Sequence, residues 1–176
     1  MAIERLESDR LVLEPLRVAH ADELAPVLDD QKLHEFIGGR PATAPELRER
    51  FERQTRGHSP DERERWLNWV VRLKHTGEVV GTAQVTVKPD DADPQALIAW
   101  VIATKHQGQG LAKEAAGLVA TWLRGQGIDR LGARIHPRHA ASIAVARSIG
   151  LAPTPTTVDG EIQWQSAKGA PWSSSR

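Results

Sequence analysis

Residues 96–123, "ALIAWVIATKHQGQGLAKEAAGLVATWL", limit the folds open to this chain more than any other segment. The opening run "ALIAWVIA" is apolar almost throughout, which suits a strand at the centre of a sheet, buried on both faces. Leu111, Ala115, Leu118, Val119, Trp122 and Leu123 then recur at the spacing of one buried helix face, and Gly125 and Gly127 close that helix. Between strand and helix stand Gly108 and Gly110. A helix start exposes unpaired N–H groups and a partial positive charge, and glycines there let an anion reach the backbone with no Cβ in the way. The unit therefore predicts a phosphate site, with a simple tight turn as the alternative. No Gly-Lys-Ser/Thr follows at the spacing of a nucleoside-triphosphate loop. A dinucleotide fingerprint needs a third glycine where Lys113 stands, so Asp129, though at a suitable distance, has no such motif to complete.

The flanking segments predict a mixed α/β domain. "RLVLEPL" reads as a first strand ended near Pro15, and "AHADELAPVLDDQKLHEFI" has helical spacing with a break at Pro26. "TAPELRERFERQTR" is a charged helix with Thr43 as its N-cap and Pro45 in its first turn. "WLNWVVRLK" and "VVGTAQVTV" alternate as strands of a hairpin about "HTGEV". "DRLGARI" is a further strand, "HAASIAVARSI" a helix closed by Gly150, and Asp159-Gly160 turns a last hairpin. Residues 1–170 are expected to form one domain and 171–176 a flexible tail. At 176 residues, such a domain buries about 70% of its unfolded surface.

Composition narrows the function. Lys plus Arg and Asp plus Glu both number 23, and this zero net charge argues against a dedicated nucleic-acid binder. No cysteine is present, which excludes disulfides, thiolate metal sites and a cysteine nucleophile. The opening "MAIERLESDR" does not read as a secretory signal and no apolar run is long enough to span a membrane, so a cytoplasmic protein is expected. No metal site is expected.

Gln107-Gly108-Gln109-Gly110-Leu111-Ala112 matches Gln/Arg-x-x-Gly-x-Gly/Ala, the acyl-CoA pyrophosphate loop of the GNAT superfamily of N-acetyltransferases. "ESDRLVLEPL", "TGEVVGTAQV" and "IHPRHAASIAVARSIGL" resemble the first strand, central hairpin and following strand and helix of its ribosomal-protein N-acetyltransferase-like (RimJ/RimL-type) branch. The resemblance spans residues 3 to about 168. It implies a central mixed, mostly antiparallel twisted sheet of six to seven strands with a splayed parallel pair, flanked by about four helices. It further implies transfer of the acetyl group of acetyl-CoA directly to a primary amine of a small molecule or peptide N-terminus, in a ternary complex.

On this resemblance the pantetheine arm runs along Trp100, Val101 and Ile102, and an amide near Val101 polarises the thioester carbonyl. The amides of Gln107, Gly108, Gln109, Gly110, Leu111 and Ala112 take the pyrophosphate. The family's acid tyrosine has no counterpart, since the chain has no tyrosine. Ser142 matches the serine that stands near the sulfur, with backbone capping as its alternative role. His139 replaces the usual asparagine and is expected to relay a proton or bind CoA, or else to cap the next helix. Leu97 stands where many relatives carry a glutamate base, and Glu161 on the last hairpin is another candidate base, acting through water, with an ordinary strand polar residue as its alternative role. Gln84, Trp66 and Trp164 are assigned to the acceptor pocket, with ordinary strand packing as the alternative. Trp69, Trp100 and Trp122 read as core. The acidic "DDADP" and "LDDQKLHEF" segments read as solvated runs rather than an amine-attracting patch. An inactive acyl-CoA-binding sensor is the main alternative function, and a tRNA-modifying relative is disfavoured by the neutral charge. Relatives often dimerise, but nothing in the sequence locates a dimer interface.

Overall fold

The structure is a computed structural model, and it describes residues 1–90 and 93–167. The expected tail at 171–176 lies outside the described residues. Eight strands form one sheet in the order β1-β2-β3-β4-β5-β6-β8-β7. They are β1 (Leu6–Glu7), β2 (Leu11–Pro15), β3 (Arg65–Leu73), β4 (Val79–Lys88), β5 (Gln95–Ile102), β6 (Arg130–Ile135), β7 (Leu151–Val158) and β8 (Glu161–Ser166). The helices are α1 (His20–Leu28), α2 (Ala44–Gln54), α3 (Leu111–Gly125) and α4 (Ala140–Ser148). The strand beyond the expected six to seven is β1, a two-residue piece that pairs Leu6 with Leu13 and Glu7 with Val12.

Local chemistry sets the element ends. Thr43 and Glu46 exchange bonds in a capping box at α2, with Pro45 in its first turn. Helix α1 stops two residues after Pro26, and the rest of the predicted helical stretch becomes a 3-10 turn at Gln31–His34. Asp159 and Gly160 have φ of 51° and 81°, the two left-handed residues of a tight hairpin turn.

The two faces of the sheet are covered differently. Helices α3 and α4 bury Leu67, Trp69, Val71, Val85, Ile98 and Leu131 on one face. On the other, α1 and α2 bury Val70 and Val79 with Leu24, Leu47 and Phe51, and so cover only the β2–β4 side.

Six of the seven strand junctions are antiparallel. The exception is β5–β6, paired in parallel only over Gln95–Leu97 against Arg130–Gly132. Beyond that point the strands part, and the C-terminal half of β5 has a ladder on its β4 side alone. This is the splayed parallel pair that the resemblance implies.

Candidate active site

Where the strands part, the cleft's floor is the edge of β5. Antiparallel ladders alternate between bonded and non-bonded pairs. The bond from the Ala103 N–H to the Val80 carbonyl, 2.8 Å, fixes the phase of β4–β5. Thr82–Val101 and Gln84–Ala99 are then bonded pairs, and Ile98, Trp100 and Ile102 turn their N–H and C=O toward the splay. The Ile102 carbonyl, turned from β4 in this phase, accepts from the Gln107 side-chain amide at 2.9 Å. Of the three strand residues expected to meet the cofactor, Val101 thus directs its backbone at β4. The amide expected near Val101 is that of Trp100 or Ile102.

The loop after β5 carries the glycines. Gly108 and Gly110 have φ of 76° and 79°, a region in which L side chains are strained. A Cβ on Gly108 would meet nothing within 4 Å, and one on Gly110 only Arg10 Nη2 at 3.5 Å. The backbone N–H groups of Gly108 through Lys113 meet no protein acceptor among the described residues, and the first α3 bond is Glu114 N–H to Gly110 O. A run of free amides at the positive end of a fifteen-residue helix forms an anion cradle. Gln107 differs from its expected role. Its N–H donates to the Thr104 carbonyl at 3.2 Å, so it braces the loop against β5 and leaves anion contact to its neighbours.

Arg10, at the head of β2, holds the loop from the other side. Its Nη1 donates to the Gln109 carbonyl at 3.0 Å and its Nε to Glu114 at 2.7 Å. Ser8 Oγ donates to the same Glu114 carboxylate at 2.5 Å. Arg10 was not among the predicted site residues, although it lies in the quoted first-strand match, because a charged residue opening a strand carries no signal of a partner 99 positions away.

At the start of α4, the His139 ring accepts from the Ser142 N–H through Nδ1 at 3.4 Å and so provides the N-cap. The capping alternative holds for His139, therefore, and not for Ser142. The Ser142 hydroxyl is half-buried and meets no protein partner among the described residues. Phe36, from the segment after α1, stacks on His139 with ring centroids 4.4 Å apart and tilts over His136 at 5.3 Å. The segment following α1 thus reaches the head of α4, a long-range contact no local pattern reveals.

Burial pushes the His139 pKa down, His136 adds to the effect, and Glu35 opposes it. His20, buried beneath Arg17, is depressed chiefly by desolvation as well. A histidine depressed in the fold binds its proton more tightly when unfolded, so both groups cost stability as pH falls below about 6.5. Protonation also removes the Nδ1 acceptor that caps α4. The thermal unfolding midpoint is accordingly expected to fall between pH 7.5 and 5.5. His139→Asn keeps a capping oxygen without a titrating ring and should recover part of that fall. Equal acid sensitivity in the variant would contradict the capping role.

The sheet face opposite α3 and α4, where the acceptor residues Trp66 and Gln84 were expected, joins Trp66, Asn68, Gln84, Leu97, Ala99, Gly132, Arg134 and Gln163 through paired registers. Gln84 accepts from Gln54 of α2 at 3.3 Å, and Trp66 donates to Glu64 at 3.4 Å. Asn68 Nδ2 is buried there without a partner. Glu161 lies on β8, one position beyond the Ile162–Ile135 pair and hence level with the exit of β6 toward α4. Trp164 does not join this face, contrary to its expected place in an acceptor pocket. It points to the opposite face, is 3% exposed within the main core and carries Arg147 over its ring at 5.8 Å. It is a packing residue and cannot line an acceptor pocket. Trp69 is fully buried as expected, while Trp100 and Trp122 are half-buried at the margin of the same core. Among the described residues no cluster of side chains could hold a metal ion, and no helix is long and apolar enough to cross a membrane.

The acetyltransferase (GNAT) domain family matches residues 10–152. The chain belongs to that family. A Bordetella pertussis protein of the GnaT acetyltransferase family superposes with a TM-score of 0.72 at 25% identity, over 93% of this chain and 99% of that one. The ribosomal-protein-S5-alanine acetyltransferase of Vibrio fischeri superposes with a TM-score of 0.70 at 16% identity, over 92% and 95% of the two chains. MccE, the microcin C7 self-immunity acetyltransferase, solved with acetyl-CoA and AMP, gives 0.71 at 16% identity over 90% and 92%. These last two likenesses concern the fold. The uncharacterized protein YkkB of Bacillus subtilis is 33% identical over 86 residues, 47% of this chain and 49% of YkkB, so the match spans about half of that curated relative.

Proposed function

We propose that the protein transfers the acetyl group of acetyl-CoA directly to a primary amine, of a small molecule or a peptide N-terminus, within a ternary complex. The observation that carries this reading is the run of free amides from Gly108 to Lys113 beside the unpaired edge of β5. The amides suit a pyrophosphate, and the edge suits an extended pantetheine arm that adds as a strand against Trp100 and Ile102. MccE binds acetyl-CoA on the same fold, which supports the choice of ligand.

The chemistry follows from what this chain offers. With no cysteine, no acetyl-cysteine relay is open, and the amine attacks the thioester carbon itself. The N–C bond forms, the oxyanion meets the Trp100 or Ile102 amide, and the C–S bond breaks to release CoA thiolate. Ser142, whose hydroxyl is uncommitted, relays a proton to the departing sulfur in place of a tyrosine and is reprotonated, through water, by the proton that the amine gives up. Glu161, level with the cleft exit, takes the amine's proton through water. His139 positions this end of the site by capping α4 and packing on Phe36.

Release of free thiol from acetyl-CoA across a panel of amines tests the reading. Turnover with intersecting two-substrate kinetics supports it, whereas acetyl-CoA binding without turnover of any amine would favour the sensor alternative. Ser142→Ala is expected to lower kcat by about 10–100-fold while the acetyl-CoA Kd stays within about twofold. An unchanged kcat would remove Ser142 from the proton transfer.

A further inference from the structure

We infer that the acceptor carries a carboxylate beside its amine, as a free amino acid does, and that the Arg134 side chain binds it. This rests on the acetyl-transfer reading and goes on to specify the substrate class.

Arg134 lies on β6 two residues past Gly132, the last residue paired to β5. On the facing strand Ala99 is equally far past Leu97, so the two stand level where the strands begin to part. Ala99 is exposed and small, which leaves room between them. Pairing of Arg134 with Gln163 puts its side chain on the face opposite α3 and α4, beside a glutamine that is 1% exposed. Helices α1 and α2 do not extend over this part of the sheet.

The arginine is also uncommitted. It is half-buried, its Nε is out of reach of water without a hydrogen-bond partner, and no carboxylate pairs with it among the described residues. Other half-buried arginines of this chain are matched: Arg72 holds Glu14 and Glu23, and Arg130 holds Asp93. A buried guanidinium nitrogen without an acceptor is costly, and the planar fork matches a carboxylate in two parallel hydrogen bonds. A carboxylate bound there would hold an adjacent amine over the thioester at the Trp100 edge. Protein N-termini and polyamines lack that group next to the amine.

The test measures thiol release from acetyl-CoA with the twenty L-amino acids, their carboxamides and the matching amines that lack the carboxyl group. Turnover is expected to concentrate in the acids, with kcat/KM for the amide at least about 100-fold lower. Arg134→Gln should lower kcat/KM for the best acid about 100-fold, mainly through KM, while the amide's value and the acetyl-CoA Kd hold steady. Arg134→Lys should recover part of the loss. Titration of the N-acetylated acid into both proteins gives a binding readout independent of turnover and should show the same loss. Preference for amides, amines or peptides, or an equal loss for acids and amides in Arg134→Gln, would overturn the inference and leave acetyl transfer standing. Absence of acetyl-CoA binding would overturn both.

Discussion

Gly81→Ala is expected to destabilise the fold by about 3–5 kcal/mol, enough to leave much of the protein unfolded. A Cβ at this position would lie 2.0 Å from the Val101 carbonyl oxygen and 3.1 Å from Ile102 Cα. Both obstacles are backbone atoms, so no rotamer change relieves the clash and strands β4 and β5 would have to separate. Gly81 and Ile102 form the end pair of an eight-pair ladder, and on its other side Gly81 pairs with Val71 just where the register to β3 slips, with Val80 as the extra residue on β4. The close approach sets the end of β5 from which the glycine loop departs, so the substitution disturbs the site as well as the sheet. Urea unfolding of the variant beside the wild type reads this directly. A midpoint within error of the wild type would show that the strands have slack the geometry denies.

The site features legible in the sequence were those written in local chemistry. Glycines at 108 and 110 announce positive φ, and an all-apolar run before them announces a central strand. That same apolar run hides its phase, because "ALIAWVIA" has no polar alternation to say which amides face β4. Only the register set by the hairpin turns Trp100 and Ile102 to the cleft and Val101 away. Trp164 was legible as core, since "EIQWQS" alternates and sets Ile162 and Trp164 on the face opposite Glu161 and Gln163, which pairing with Ala133 turns inward. Capping was one of the roles open to His139 in the sequence, whereas the Phe36 ring stacked on it comes from a segment a hundred residues earlier and has no local signal. Arg134 had no sequence signal at all. An arginine in a strand reads as a solvated side chain, and its meaning comes from the splay beside it and the missing carboxylate.

Gly110→Glu has the largest expected effect on function. The residue heads α3 with its amide among the free donors, and its Cβ direction is open except for Arg10. A glutamate there places negative charge where two phosphate groups would sit and occupies the positive end of the helix. It also carries the strain of φ 79°, which Gly110→Asn shares at lower cost and without charge. The asparagine variant therefore separates backbone strain from electrostatics.

Calorimetric titration of acetyl-CoA into the wild type and these two variants tests most directly whether the glycine-headed helix holds the cofactor. Micromolar binding by the wild type, weakened by at least about 100-fold in Gly110→Glu and far less in Gly110→Asn, is the predicted result. Wild-type protein that fails to bind acetyl-CoA, or a glutamate variant that binds it equally well, would contradict the account and leave the two glycines as a turn.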